Sequence, residues 1–553
     1  MEAGRNQDQE SCFIFSKLAP SQWADYFLNV TNTDSDLELL AKEIEVVKPK
    51  VRENFFMLSS EEEDAVKRKI LLIHLLESLG LAYHFEKEIE ETLKHAFEKM
   101  EDLINGENDL YTISIMFRAF RTYGHNMPSD VFNRFKGNDG KFKECMIEDV
   151  KGLLSFYEAV HFGTTTDHIL DEALSFSVDH LEQLASGLRE SPPHVLKHVQ
   201  NALYIPQHRK TQVLVAKEYI SFYEQEEDRD DTLLKLAKLN FKFLRLHYIY
   251  EWWKGLDHVQ NLPLGIRERT IESWFSTLMI YFEPKFSLGR IMTAKFVLAT
   301  TCVDDFCDTY GSVPEVESLV DCLERWDPDY MENCQSLIMK TTFKLVMYLF
   351  KEFEEVMKLH GRSFALENVI EEQFKIFARS ELEHLKWART GHVPNFDEYV
   401  ETGGAAAGTY STIACSIMGL EETGKKIDFE WLISRPNVVR FIAKKTRLMD
   451  DIMDFEEDMN SGYSANALNY YMKQHGVTKE EAIREIQKMV GDVNKSINEE
   501  CLKPTNVSRS VLMVALNFGR MVDVLCTSDD VYNHRGGKLK EYLIALLVDP
   551  IHL

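Results

Sequence analysis

The sequence predicts an all-α protein composed of two helical domains. Glycine and proline are scarce, at 26 and 14 of 553 residues, which favours long helices over turn-rich β-structure. From about residue 34 onward, apolar residues recur at helical spacing. An example is the stripe Leu71, Leu72, Leu75, Leu76 and Leu79. A hydrophobic fraction of 44% over this length is enough to give each domain a substantial core.

Turn-forming clusters separate the predicted helices. They lie at 106–108, 125–128, 137–140 and 191–193. The strongest charge run, EQEEDRDD at 224–231, lies between two helical stretches and marks the predicted domain junction. We therefore expect an N-terminal helical domain over residues 1–225 and a C-terminal helical domain over residues 226–553.

Composition excludes several classes of protein. The net charge of −27 argues against nucleic-acid binding, which needs a basic surface. Nine cysteines without a CxxC pair indicate reduced thiols rather than a disulfide framework. The first twenty residues lack the pattern of a secretory signal and are too acidic for a transit peptide, and no apolar run reaches the length of a membrane span. We expect a cytoplasmic protein with no membrane-spanning segment.

The first acidic motif lies at the end of a predicted apolar helix. Asp304 and Asp308 are one helical turn apart and share a face, with Asp305 beside them. Carboxylates stacked in this way repel each other, and Mg²⁺ is their natural counter-ion because it binds carboxylate and water oxygens together with substrate phosphates. With 90 acidic residues in the chain, such a pattern also arises by chance, so a solvated helix end is the alternative.

A second acidic stripe makes the chance interpretation weaker. Asp450, Asp454 and Asp458 fall at i, i+4 and i+8 along one predicted helix, and Asp451 stands beside them. Each stripe follows an apolar helix of the same predicted domain, so we expect two helices that face each other across a cavity. Together the stripes would hold several metal ions around one diphosphate, an arrangement that promotes departure of a phosphate leaving group.

With these motifs in this order, the chain resembles the plant class I terpene synthases over almost its full length. The matching segments include LGLAYHFEKEIEETL (80–94), FRAFRTYGHNMPSDVFNRFK (117–136), LLSFYEA (153–159), EWWKGLD (251–257), RERTIESWF (267–275), YFEPKFSLGR (281–290), DDFCDTYG (304–311), LERWD (323–327) and SRP (434–436). The resemblance implies a C-terminal class I terpenoid synthase bundle that carries the active site. It also implies a catalytically silent N-terminal domain of α/α-barrel-like form.

The resemblance assigns metal ligands to both acidic motifs. The ligands it implies are Asp304, Asp305, Asp308, Asp450, Asp454 and Asp458. In the second motif the family usually has Asn or Asp, then Ser or Thr, then Glu, whereas this chain has aspartate at all three positions. The aspartate-rich second motif is similar to that of delta-cadinene synthases, as is the segment 464–482. Three Mg²⁺ ions are implied, with Mn²⁺ as a substitute.

Five further residues match catalytic positions of the family. Arg267 and Arg269 match its RxR motif and Arg447 matches another arginine that binds diphosphate, which suits the bidentate geometry of guanidinium groups. For the segment RERTIE, an ordinary surface pairing of charges is the alternative. Asp530 and Tyr532 match a mobile loop near the C-terminus that covers the pocket and excludes water.

Two aromatic positions of the family are changed in this chain. Ser276 stands where the family often has Trp, and Leu525 stands where some relatives have Tyr. We expect Trp274 to pack in the core, so that rings such as Tyr532 or Tyr410 stabilise the carbocation by cation–π interaction.

Two glycine-rich and acidic patterns allow more than one interpretation. The glycines of the segment 403–408 indicate either close helix packing or, as the resemblance favours, a helix break whose carbonyls face the carbocation. The segment 228–231 spells DxDD, the general-acid motif of cyclases that protonate alkenes. A solvated acidic linker is the favoured interpretation because a protonating aspartate needs an apolar pocket.

The function that the resemblance implies is Mg²⁺-dependent ionisation of farnesyl diphosphate and cyclisation of the carbocation to a sesquiterpene, by a monomer. The absence of a transit peptide, and of a tandem-arginine motif before Trp23, favours this C15 substrate. The alternatives are a monoterpene synthase acting on geranyl diphosphate, a chain-elongating prenyltransferase and a non-catalytic helical scaffold. The product skeleton depends on cavity shape and does not follow from the sequence.

Overall fold

The computed structural model describes most of the chain. The described residues are 34–56, 63–188, 190–256, 269–327, 329–330, 336–420, 424–527, 537–549 and 551–552. Within them the chain is helical, and the single β pairing is an isolated antiparallel bridge between Lys136 and Phe142. The prediction of an all-α fold is confirmed.

Backbone contacts divide the described residues into two units. The first unit comprises Asn32–Tyr248, Asn494–Thr505 and Gly537–Leu553, and the second contains Ile249–Val493 and Asn506–Gly536. The division between the two units falls inside the helix Asp231–Leu256, between Tyr248 and Ile249. This helix continues without a break after the acidic connection. The predicted boundary between residues 225 and 226 lies in the connection before this helix and stays a prediction.

Ten α-helices lie in the described residues up to 256. They are α1 (Asp34–Phe55), α2 (Glu63–Ser78), α3 (Glu86–Glu98), α4 (Met100–Ile104), α5 (Leu110–Thr122), α6 (Val150–Val160), α7 (His168–Ala185), α8 (Pro193–Tyr204), α9 (Gln212–Tyr223) and α10 (Asp231–Leu256). Helices α2, α5, α6, α7, α8 and α9 contact one another in that order, and α9 returns to α2. This closed ring agrees with the expected α/α-barrel-like domain.

The core of the first unit lies inside this ring. Leu153 and Tyr157 on α6 pack with Leu181 on α7 and with Val199 on α8, and all four are buried. The leucine stripe of α2 also faces inward, since Leu72 and Leu76 are buried. Burial of each such side chain contributes about 1.5–3 kcal/mol, so the ring is held together mainly by apolar contact.

The DxDD segment is solvated, as the favoured interpretation predicted. The side chain of Asp231 is 85% exposed and pairs with Arg229. The carboxylate of Asp230 accepts a hydrogen bond of 2.8 Å from the backbone N–H of Leu233, which caps the start of α10. The segment therefore acts as a helix start and has no apolar pocket around it.

Fourteen helices follow in the described part of the chain. They are α11 (Thr270–Ile280), α12 (Ser287–Asp305), α13 (Val313–Arg325), α14 (Leu337–Leu359), α15 (Ser363–Asn368), α16 (Lys375–Thr390), α17 (Phe396–Ala406), α18 (Thr409–Met418), α19 (Lys426–Ile433), α20 (Asn437–Ser461), α21 (Ala467–His475), α22 (Lys479–Cys501), α23 (Arg509–Leu525) and α24 (Lys538–Leu543). Helices α11, α12, α18, α17, α20 and α23 contact one another in that order, and α23 returns to α11. This second ring forms a helical bundle.

One long helical stretch of this bundle is notable for its apolar composition. The continuous helical stretch Pro284–Tyr310 is long and apolar enough to cross a membrane, but 67% of its most apolar window is buried within the protein. Its middle part is α12, which packs against α11, α14 and α18. We therefore interpret it as the core helix of the bundle.

Candidate active site

Both acidic stripes line one cavity of about 540 Å³ within the second unit. Asp304 and Asp308 reach it from the end of α12, and Asp450, Asp454 and Asp458 reach it from α20. Successive turns of α20 bring its three aspartates to the same face, as their spacing predicts. The structure thus brings five of the six predicted metal ligands together.

The sixth predicted ligand, Asp305, does not line this cavity. Its side chain is 1% exposed, and it ends α12 on the side that packs into the bundle. The next five residues, Phe306–Tyr310, form a π-helical turn, so the wider backbone begins between Asp304 and Asp308. Such turns are frequent at functional sites. The role of Asp305 as a direct ligand stays a prediction that the geometry does not favour.

Glu381 is a cavity residue that the sequence analysis missed. It lies on α16, is 3% exposed, and lines the cavity together with both stripes. Burial, followed by the nearby charges of Asp304 and Asp308, raises the pKa of Glu381 well above its usual range, and Asp450 adds to this effect. Glu381 therefore faces acids from both helices. A single Glu in an amphipathic helix carries no spacing signal, and only the three-dimensional structure identifies it.

Asp458 is held in a defined orientation by a neighbouring loop. Asn466, which is fully buried, donates a hydrogen bond of 2.9 Å from Nδ2 to Asp458 Oδ2. Burial raises the pKa of Asp458 to about 8, although this hydrogen bond lowers it, and Asp451 raises it further. The negative charge of the Asp458 carboxylate is therefore not fully compensated by neighbouring groups.

The donor set fits divalent metal ions. Carboxylates from three helices crowd one cavity, and burial together with their mutual repulsion raises the pKa values of Glu381 and Asp458. Bound cations would relieve that repulsion. In the described part of the chain no three acidic, histidine or cysteine side chains are already close enough to hold an ion alone. Mg²⁺ usually takes one or two carboxylates and completes its shell with water and substrate phosphates.

Arg447 is, with Arg389, one of two arginines that line this cavity. Its Nη2 donates to Asp450 Oδ2 at 2.6 Å and to Asp451 Oδ1. Burial alone would lower the pKa of Arg447, but Asp451 and Asp450 hold it well above its usual value. The guanidinium therefore stays charged beside the acidic stripe, where it can bind an anionic ligand.

Of the other four predicted catalytic residues, the structure describes only Arg269. Arg269 is 2% exposed, pairs with Glu272 at 3.4 Å, and is not among the residues that line the cavity. This pairing is buried, unlike the surface pairing considered for this segment. Arg267, Asp530 and Tyr532 lie outside the described residues. The roles of these four residues stay predictions.

The rest of the cavity wall mixes apolar and aromatic side chains with polar ones such as Thr300, Thr412 and Thr446. Val297, Phe377, Phe518 and Leu525 line it. Ser276 lines it as well, at the position where the resembling family often has Trp. The apolar side chains reduce the access of water to their part of the cavity, and the aromatic rings are available to a cation there.

Two aromatic residues discussed for the sequence lie elsewhere. Trp274 is 1% exposed and packs edge-to-face on Trp252 with ring centroids 6.1 Å apart, which confirms its assignment to the core. The suggestion that Tyr410 faces the carbocation stays a prediction that the geometry does not favour. The ring of Tyr410 lies beside Arg435, whose guanidinium is 5.2 Å from the ring centroid, and it does not line the cavity.

The glycine-rich segment contains close helix packing and a helix break, and the role of its carbonyls stays a prediction. A Cβ on Gly404 would lie 2.9 Å from the Cβ of Ala443, so α17 and α20 pack closely here. The helix then breaks, because α17 ends at Ala406 and α18 begins after Gly408, which has a φ of +66°. The residues of the break line the cavity.

Sequence comparisons match both units. The family model described as "Terpene synthase, N-terminal domain" matches residues 22–203, and the model described as "Terpene synthase family, metal binding domain" matches residues 254–496. Alpha-barbatene synthase of Arabidopsis thaliana is 68% identical over the whole of both chains. (Z)-gamma-bisabolene synthase 2 of the same plant is 52% identical, again over the whole of both chains.

A solved structure shares the fold. Isoprene synthase from grey poplar leaves, in complex with three Mg²⁺ ions and dimethylallyl-S-thiolodiphosphate, is 25% identical and superposes with a TM-score of 0.81. The match covers 93% of this chain and 98% of that chain. In that protein the fold binds three divalent ions together with a diphosphate analogue.

Proposed function

This chain belongs to the terpene synthase family, and from that premise we propose that it ionises farnesyl diphosphate and cyclises the carbocation to a sesquiterpene. The observation that carries the proposal is the convergence of two acidic stripes, Glu381 and Arg447 on one cavity that also has apolar and aromatic side chains in its wall. The C15 substrate is supported by two relatives that are named for sesquiterpene products. The compound that this chain releases is left to experiment.

The cofactor in this proposal is Mg²⁺, bound as three ions, with Mn²⁺ as a substitute. Asp304 and Asp308 would hold ions at one side of the cavity, and Asp450, Asp454 and Asp458 at the other. When bound, these ions supply Lewis-acid stabilisation of the negative charge on the departing diphosphate. The three ions in the isoprene synthase complex support this count.

The chain's own residues supply the other parts of the mechanism. Arg447 remains charged beside the acidic stripe, so it can donate hydrogen bonds to the diphosphate as the carbon–oxygen bond breaks. Phe377 and Phe518 present rings to the cavity, where they can stabilise the carbocation. Val297 and Leu525 keep water away from it. Closure by the loop with Asp530 and Tyr532, and removal of the final proton there, remain proposals from the sequence.

A product assay tests the proposal. The purified chain is incubated with Mg²⁺ and either farnesyl or geranyl diphosphate, and volatile products are identified by gas chromatography and mass spectrometry. We expect C15 hydrocarbons or alcohols from farnesyl diphosphate, and no product after the metal is removed with EDTA. Turnover of geranyl diphosphate alone would identify a monoterpene synthase. Incorporation of labelled isopentenyl diphosphate would identify a chain-elongating prenyltransferase.

Localisation and oligomeric state are also proposals. We propose a cytoplasmic monomer, on the grounds of the cysteine pattern and the expectation from the family. Fractionation of cells that express the tagged chain, and light scattering of the purified protein, test the two statements. Recovery in an organelle, or a molar mass well above the 64.2 kDa of one chain, would contradict them.

A further inference from the structure

The guanidinium of Arg447 lies on a buried carboxylate that does not itself face the cavity. Asp451 is 0% exposed and is not among the lining residues, although it directly follows Asp450 on α20. Its Oδ1 accepts from Arg447 Nη2. A buried charge must be compensated, and Arg447 is the charged side chain that compensates Asp451.

The second oxygen of Asp451 is fixed by two donors. Oδ2 accepts from the backbone N–H of Ala467 at 2.6 Å and from the hydroxyl of Tyr399 at 2.9 Å. The single hydroxyl hydrogen of Tyr399 is shared with the carbonyl of Ala465, 2.8 Å away. Three donors therefore set the plane of the Asp451 carboxylate, and that plane sets the position of Arg447.

Helix α17 also packs against Arg447 at a second residue, Gly403. Tyr399 and Gly403 are one turn apart and so share a face of α17. A Cβ on Gly403 would lie 2.4 Å from Cδ of Arg447, so only glycine leaves room for this side chain. His384 packs beside both, since its ring stacks on Tyr399 with centroids 4.9 Å apart. Two independent features of α17 thus hold Arg447 in one place.

Metal binding would leave Arg447 dependent on Asp451. In this structure Nη2 pairs with both Asp450 and Asp451, whereas Nε is buried and makes no hydrogen bond to any described residue. If Asp450 bound a metal ion, Asp451 would be the carboxylate that remains paired with Arg447. An anchored guanidinium still has donors to offer to a diphosphate.

We propose that Asp451 and Tyr399 are positioning residues, which hold Arg447 ready to bind the diphosphate of the substrate. This proposal rests on the proposed function. It assigns different tasks to the adjacent aspartates of the second stripe, with Asp450 at the metal site and Asp451 beneath the arginine.

The test is a double-mutant cycle read out by binding rather than turnover. Affinity for inorganic pyrophosphate in saturating Mg²⁺ is measured by calorimetry for the wild type, Tyr399→Phe, Arg447→Gln and the double variant. We expect Tyr399→Phe to weaken binding about tenfold, the scale of one hydrogen bond to a charged group. In the Arg447→Gln background the same change should have no further effect, because its consequence passes through the arginine.

A second buried tyrosine provides the matched control. Tyr470 packs against Tyr399 with ring centroids 4.8 Å apart, and its hydroxyl makes no hydrogen bond to any described residue. Tyr470→Phe should leave pyrophosphate affinity unchanged. Asp451→Asn, which removes the charge but keeps the shape, is the second perturbation and should weaken binding at least as much as Tyr399→Phe. Thermal unfolding of each variant reports whether its fold is intact.

Several outcomes would overturn the positioning role. They are unchanged pyrophosphate affinity in Tyr399→Phe, a loss that persists in full in the Arg447→Gln background, and an equal loss in Tyr470→Phe. Failure of the proposed function has a different signature. In that case the wild type itself would bind no pyrophosphate in the presence of Mg²⁺. That result would reject the proposed function and the positioning role together, without any comparison of variants.

Discussion

Asp304 and Asp305 are adjacent in sequence but differ in what they face. Asp304 lines the cavity, whereas Asp305 is 1% exposed and points away from it. Asp450 and Asp451 repeat this division on α20. The spacing of the acidic residues predicts which face of a helix is acidic. It does not predict which of two adjacent aspartates lines the cavity, because consecutive residues on a helix differ in direction by only 100°. Glu381 was missed for a related reason, since a lone acid forms no stripe.

The division between the adjacent aspartates predicts unequal mutational effects. Asp304→Asn should raise the Mg²⁺ concentration needed for half-maximal product formation by at least about a hundredfold, because a direct ligand is lost. Asp305→Asn should raise it less, by about tenfold, the lower end of the range for an outer partner. The measurement is product formation over a Mg²⁺ titration, with thermal unfolding as the control for folding. An equal or larger effect of Asp305→Asn would show that both residues bind metal.

At the scale of helices, the site depends on close approach of α17 to α20. Gly404 would bring an added Cβ within 3.0 Å of backbone atoms of Ala443, so the two helices leave no space for a side chain. The sequence indicated either this packing or a helix break, and the structure contains both within six residues. The ambiguity could not be resolved from the sequence because glycine serves both purposes.

Alanine at Gly404 should therefore destabilise the protein. We expect Gly404→Ala to cost about 1–3 kcal/mol, the usual cost of overpacking. Gly491 on α22 is the matched control, since an added Cβ there meets no atom within 4 Å. Gly491→Ala should stabilise by about 0.5–1 kcal/mol, as expected for an open helical site. Thermal unfolding midpoints of the two variants provide the comparison. A midpoint of Gly404→Ala at or above the wild type would contradict the account.

At the scale of the whole molecule, two helical rings fold from one chain. The apolar periodicity and the turn clusters predicted helices in two domains, whereas the barrel-like form of the first domain was implied only by the family resemblance. The division between the units falls within α10 rather than at the acidic connection before it, because this one continuous helix contributes residues to both units. Helix packing around a common ring is a long-range property, so a linear pattern does not locate the change of unit.

The first unit should lose stability in mild acid. His74 on α2 is 6% exposed, and burial followed by the charge of Arg118 lowers its pKa well below the usual value. The folded state keeps His74 neutral, while the unfolded chain takes up a proton below its ordinary pKa of about 6.5. The contribution is therefore present above that pH and is lost as the pH falls below it.

Unfolding midpoints at about pH 7.5 and about pH 5.5, on either side of the ordinary histidine pKa, measure this effect. The wild type should show a lower midpoint at the acid pH, and the fall should be smaller in His74→Gln, whatever that change costs at neutral pH. His392→Gln, at an exposed position, should fall as much as the wild type. Equal falls in the wild type and His74→Gln would mean that other groups dominate the acid response.

The central claim is that the two acidic stripes act on one diphosphate. Electron paramagnetic resonance of Mn²⁺ tests this most directly, by counting bound ions with and without inorganic pyrophosphate. We expect pyrophosphate to promote binding of several Mn²⁺ ions in the wild type. Asp304→Asn in one stripe and Asp454→Asn in the other should each abolish that increase. If either variant kept the full pyrophosphate-dependent binding, the two stripes would not share a ligand and the account would be wrong.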